Sequence, residues 1–191
     1  MGKMLTRQEA WNLLTRYTKT PSLQKHALAV EAVMKYFAKL NNEDVEKWGV
    51  VGLLHDLDYE QFPEEHCHKV VEIMQEEEID DFYIHAVCSH GYGICSDVKP
   101  EHIMEKVLFT TDELTGLINA LCLMRPSKGV LDLEVKSVKK KFKDKSFASG
   151  VNRQIVKDGC EMLGMSLDEV IKETIEGMKT KAEAIGLKGN L

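Results

Sequence analysis

The sequence predicts an all-α protein, on three observations. Apolar residues recur at intervals near 3.6 along most of its 191 positions. Helix-start chemistry, a Ser, Thr or Asp ahead of an apolar run and twice with Glu three residues on, precedes several of these stretches. No segment alternates apolar and polar residues beside turn signals, as a half-buried strand would.

Thr6 and Glu9 read as a capping box ahead of Trp11, Leu14 and Tyr17. Pro21-Ser22 restarts the chain, with Ser22 as the expected N-cap, and a second helix runs to about Leu40 on the stripe Val30, Val33, Met34 and Phe37. Asn41-Asn42 is a turn. Asp44 caps a third helix through Trp48, Val51 and Leu54 that ends around His55-Asp56. A loop through Tyr59, Phe62 and Pro63 leads to a fourth helix near 65–78. A fifth spans 81–89 and is broken by Gly91-Tyr92-Gly93. A long helix covers about 101–124 and stops at Arg125-Pro126. Beyond a turn at Gly129, helices follow near 135–142, 153–163 and 166–185, the last opened by a second capping box, Ser166 with Glu169. Residues 1–125 read as a helical core and 126–191 as a C-terminal helical extension packed on it in one compact domain.

Composition narrows the function classes. A hydrophobic share of 43% is too high for a disordered chain, and 13 Gly with 4 Pro are too few for low-complexity sequence. A formal charge of −6 argues against a nucleic-acid partner. The first residues lack the apolar core of a signal peptide, and no run approaches about twenty apolar residues, so no membrane partner is expected. Cys67, Cys88, Cys95, Cys122 and Cys160 form no CxxC pair, which favours a reduced cytoplasmic protein without a disulfide framework. Six Lys and one Asp crowd residues 136–145, either as a solvated helix face or as an anion-facing patch near a phosphate site.

The chemistry sits where His and Asp interrupt apolar helices. His26 lies inside the second helix, His55-Asp56 follows Val50-Val51-Gly52-Leu53-Leu54, and Asp112 lies inside the long helix. Buried carboxylates need a partner. Two imidazoles and two carboxylates from three helices suit a divalent cation, although each residue alone is more often a hydrogen-bonded core residue, a cap or a solvated group than a ligand.

The order His26, then Leu53-Leu54-His55-Asp56, then Thr111-Asp112-Glu113-Leu114 resembles the H…HD…D pattern of the HD-domain superfamily of all-helical, metal-dependent phosphohydrolases. Arg125-Pro126-Ser127-Lys128, the Lys-rich helix and Phe147–Arg153 are similar to a subfamily of unassigned substrate. The resemblance implies an HD-domain-like bundle over roughly residues 20–125 in which His26, His55, Asp56 and Asp112 hold one metal. It also implies a second ion held partly by His90 and by His66 or His68. His66 is preferred because Val70, Val71, Ile73 and Met74 then fall on the apolar helix positions. Many members read His-Asp-Ile-Gly-Lys at the pair, whereas this chain has His55-Asp56-Leu57-Asp58-Tyr59. Cationic contacts to phosphate must then come from elsewhere, with Arg125, Lys128, the Lys139–Lys145 cluster including Lys140, and Arg153 as candidates.

Nitrogen and carboxylate ligands without thiolate favour Mn, Fe, Co, Ni or Mg, one or two ions per chain. The implied reaction is hydrolysis of a phosphate mono- or diester of a small, nucleotide-like molecule. Asp56 would be the shared ligand and Asp58 a proton acceptor. A catalytically silent metal- or ligand-binding regulatory module is the alternative. A zinc module built from His66, Cys67, Cys88 and Cys95 is a third reading.

Overall fold

The structure, a computed structural model, describes residues 1–190. Helix α1 (Arg7–Tyr17) opens on the expected capping box: the Thr6 hydroxyl accepts from the Glu9 N–H, and the Glu9 carboxylate accepts from the Thr6 N–H. Helix α2 (Pro21–Leu40) begins earlier than a Ser22 cap would require. Thr20 is the N-cap residue and Pro21 takes the first helical position, where a missing N–H is no loss. The Thr20 side chain makes no cap bond. Instead the Glu60 carboxylate accepts from the Lys19 and Thr20 N–H groups at 2.7 and 2.8 Å, tying the α1–α2 turn to the loop after the next helix.

Helix α3 (Val45–Leu54) is capped by Asp44 and packs closely along α2. Gly52 permits this approach, because a Cβ there would stand 2.9 Å from the Cα of Glu31. His55, at the C-terminus of α3, is thereby brought against α2. The next segment departs from expectation. A 3-10 turn at Pro63–Glu65, then His66 in extended backbone and Cys67 at φ 72°, precede a short α4 (Lys69–Glu76). Helix α5 (Asp81–Ser89) has its expected limits.

Helix α6 (Ile103–Met124) is the axis of the fold and packs on α2, on α5 and on all three helices that follow it. Its length and composition would suffice to cross a membrane, but most of its apolar window is buried inside the fold and it carries Glu105, Asp112 and Glu113. Its N-cap is His102, whose Nδ1 accepts from the Met104 N–H while Glu105 accepts from the His102 N–H.

The extension comprises α7 (Val135–Lys143), α8 (Arg153–Leu163) and α9 (Leu167–Lys179), with α9 opened by the Ser166–Glu169 box. Helix α8 lies against α6 at Gly159, where a Cβ would come 2.9 Å from the Thr110 Cα, and α9 lies against α2. Helix α9 stops at Lys179 rather than 185. Turns follow it, yet Ala182, Ile185 and Leu187 are still buried, so the apolar pattern outlives the helix. Among the described residues there is no strand, only isolated bridges. One apolar cluster runs from α1 through the extension to Leu187.

Candidate metal centre

Four helices and one loop converge on Asp56, the residue just past the end of α3. Its Oδ2 lies 3.2 Å from Nε2 of His55 and 3.7 Å from Nε2 of His26. Its Oδ1 lies 3.4 Å from Nε2 of His66 and 3.4 Å from Nε2 of His90. Asp112, from the middle of α6, closes the first set, with Oδ1 2.9 Å from His26 Nε2 and 3.1 Å from His55 Nε2. One carboxylate therefore faces two pairs of imidazoles, one pair on each oxygen.

The fold fixes which ring nitrogen faces the centre. His55 Nδ1 donates to the Gly52 carbonyl at 2.7 Å, inside the last turn of α3. His90 Nδ1 donates to the Val87 carbonyl at the end of α5. His66 Nδ1 donates to Oδ1 of Asp58 at 2.6 Å. A carbonyl or carboxylate can only accept, so in the neutral rings Nε2 is a lone pair. These lone pairs point at carboxylate oxygens, and that of His55 also lies 3.2 Å from Nε2 of His26. Such a convergence of acceptors calls for a positive charge at its middle.

The electrostatics agree. Burial acts to lower the His55 imidazole, but the Asp56 and Asp112 carboxylates outweigh it and hold His55 well above its ordinary value. Burial also opposes the charged form of His90, and the Asp56 carboxylate again raises it. Asp56 and Asp112 are held well below the usual carboxylate range by His55, with His90 and His26 adding to one each, against the penalty of burial. A proton trapped on this cluster stands where a cation would. His26, His55, Asp56 and Asp112 have ligand atoms all within 4.8 Å of one another, a donor set of nitrogen and oxygen that could hold a divalent metal.

His66 and not His68 turns its ring to Asp56. His68 is the exposed residue ahead of α4. Asp58 does not stand at the centre as a proton acceptor: it is fully buried, with Oδ1 on His66 and Oδ2 accepting from the Val70 N–H at 2.9 Å. It orients a ring rather than meeting water.

The cysteines differ from a wholly reduced set. Cys67, beside His66, forms a disulfide with Cys95 in the loop after His90, with Cα atoms 6.0 Å apart. Cys88 is buried, its thiol donates to the Cys67 carbonyl, and burial pushes it up to about 11. A zinc module of His66, Cys67, Cys88 and Cys95 therefore lacks thiolates.

None of the four expected cations reaches the centre. Arg125 pairs with Asp132, its guanidinium 2.8 Å from the carboxylate, and also donates to the Gly129 carbonyl. Lys128 Nζ donates to the Leu123 carbonyl, which caps the end of α6. Lys140 is exposed on α7. Arg153 donates to six backbone carbonyls, those of Lys141, Phe142, Asp144, Phe147, Ala148 and Val151, and so ties α8 to the loop that follows α7.

A pocket opens in front of the centre. His26, Asp56, His66, His90 and Asp112 face it, and Gly116, one turn beyond Asp112 on α6, leaves room beside them. Ile94, Val151, Ile155 and Glu113 also line it. None of these four reads as a site residue in the sequence, since three are ordinary apolar residues and Glu113 enters only as the neighbour of Asp112. The adjacency of Glu113 to Asp112 was the one available signal.

A family model described as HD domain matches residues 23–117, the span that supplies every residue of the His–Asp centre. Neither the curated proteins nor the solved structures give a match.

Proposed function

Because the chain belongs to the HD-domain superfamily, we propose that it is a metal-dependent phosphohydrolase that cleaves a phosphate mono- or diester of a small molecule. The observation that carries this reading is the Asp56 carboxylate set between two imidazole pairs. His26, His55, Asp56 and Asp112 would hold one divalent ion, and His66, His90 and the other oxygen of Asp56 a second. When bound, such an ion supplies Lewis-acid polarisation of a phosphoryl group and a more acidic water.

The residues of the chain supply the rest. Gly52, Val87 and Asp58 fix the three imidazoles in the tautomer that offers Nε2 to the centre, so little reorganisation is needed when the site fills. Placing the phosphoryl group in the pocket mouth would bring it against His26, Asp56, His66 and Asp112, the partly accessible side chains of the centre. With no Lys after the His-Asp pair and no Lys or Arg lining the pocket, positive charge facing the phosphate would come from the centre, and the Tyr59 side chain also stands on the pocket wall.

The test is hydrolysis of p-nitrophenyl phosphate and bis-p-nitrophenyl phosphate with added Mn²⁺ or Co²⁺. Wild-type turnover should fall by two orders of magnitude or more in Asp56→Ala, consistent with losing about 3 kcal/mol of transition-state stabilisation. Equal activity in the variant would remove the assignment. The sequence His55-Asp56-Leu57-Asp58-Tyr59 and the pocket without Lys or Arg favour the second reading, a regulatory module that binds metal without turnover. Metal retained with no hydrolysis across a broad ester panel would select it.

A further inference from the structure

The pocket has a volume of about 290 Å³, at the small end of small-molecule sites, which run from roughly 300 to 1,000 Å³. Among the described residues no Lys or Arg lines it. Sites that take di- and triphosphates meet the added charge with Lys, Arg or arrays of backbone N–H groups. Here Arg125, Lys128 and Arg153 are bound to Asp132 or to backbone carbonyls.

Apart from Tyr59 and Glu113 the remaining side chains of the lining are largely apolar. Ile94 comes from the loop after His90, and Val151 and Ile155 come from the extension outside the HD domain match. One charged side chain stands among them. Glu113 Oε2 accepts the Asn152 N–H at 3.0 Å, which fixes the carboxylate against the start of α8. Its Oε1 accepts no hydrogen bond, and Glu113 forms no ion pair, from any described residue. A half-buried carboxylate with an open oxygen gains from an incoming donor.

We propose that the substrate is a small molecule carrying one phosphoryl group on a short apolar body, with a hydrogen-bond donor received by Glu113. The donor is a protonated amine or a hydroxyl, which share this chemistry. The proposal rests on the phosphohydrolase reading and sharpens it, from a mono- or diester of a small molecule to a compact phosphomonoester.

Wild-type protein loaded with Mn²⁺ is assayed against ethanolamine phosphate, 2-hydroxyethyl phosphate, ethyl phosphate and adenosine triphosphate. At least one donor-bearing ester should exceed ethyl phosphate tenfold or more in kcat/KM, and the triphosphate should fall below one hundredth of that ester. Whichever donor ester leads identifies the group as amine or hydroxyl. In Glu113→Gln, which keeps an oxygen for Asn152 and removes the charge, the preference should shrink several-fold. Equal kcat/KM for the three monoesters, or an unchanged preference in Glu113→Gln, overturns the proposal and leaves the phosphohydrolase reading standing. Absence of all turnover removes that reading instead. The melting temperature of the Mn²⁺-loaded protein with each ester then decides the pocket assignment. A donor-specific rise that Glu113→Gln abolishes supports it, and equal rises overturn it.

Discussion

Asp58 offers the sharpest link between packing and chemistry. It is fully buried and satisfies two donors, the His66 ring and the Val70 backbone N–H. Replacement by Ala leaves both donors without a partner in a closed space. Each unsatisfied buried group costs about 1–3 kcal/mol, so the loss from two is roughly 2–6 kcal/mol. For a chain of this size 1 kcal/mol moves the melting temperature by about 2–4 °C, which places the variant roughly 4–24 °C below wild type. Asp58→Asn is milder, because the amide can accept from one donor while its NH₂ opposes the other, and about half that loss is expected. Both variants free the His66 ring while leaving His26, His55 and Asp112 in place. The account therefore expects a selective effect on metal: the weaker equivalent should lose about 10–100-fold in affinity, the usual cost of removing a partner that orients a ligand. Thermal melts and competitive Mn²⁺ titration measure both quantities. A variant as stable as wild type, or one in which the tight and weak equivalents weaken together, would refute the link from Asp58 through His66 to one half of the centre.

Two further outcomes follow from the same geometry. Arg153→Met removes the donors to six backbone carbonyls and should cost about 2–4 kcal/mol in a denaturant melt while sparing activity at low temperature; lost turnover with unchanged stability would return Arg153 to a substrate role. The pH dependence of the metal-free protein has a definite sign. His55 is raised above its ordinary 6.5, so its contribution is full below that pH and is lost as pH rises through the folded value. Asp56 and Asp112 are lowered from 3.8, so theirs is present above that pH and is lost on acidification. The metal-free melting temperature should thus peak between about pH 4 and 6.5, and the gain on adding Mn²⁺ should widen at higher pH, where no proton competes for the centre. A gain that is flat or shrinks from pH 6 to 9 would contradict the proton-for-metal exchange.

Local signals with a single physical cause were legible in the sequence. Helices α5 and α8 have their expected limits because Asp80 and Asn152 cap one end and the Gly91–Gly93 turn or the left-handed Gly164 closes the other. The α6 capping box was missed because His102 is an unusual N-cap residue whose ring nitrogen replaces a hydroxyl. Helix α4 is shorter than its apolar pattern predicts, because Val70, Ile73 and Met74 say nothing of Asp58, which holds the Val70 N–H and the His66 ring so that His66 enters the centre. Helix α9 was overextended for the converse reason, since buried residues of a turn mimic a helical stripe. The His and Asp residues could be singled out by their apolar surroundings. The cations could not be placed, because a Lys or Arg beside a helix end is taken by carbonyls as readily as by phosphate, and only coordinates distinguish the two.

The most direct test is elemental analysis of the purified protein, loaded with Mn²⁺ and passed through a desalting column, beside Asp56→Ala treated alike. Wild type should retain at least one divalent ion per chain, and Asp56→Ala should retain a small fraction of that. A wild-type protein that stays metal-free after loading, or a variant that retains as much metal, would contradict a cation held by the carboxylate of Asp56.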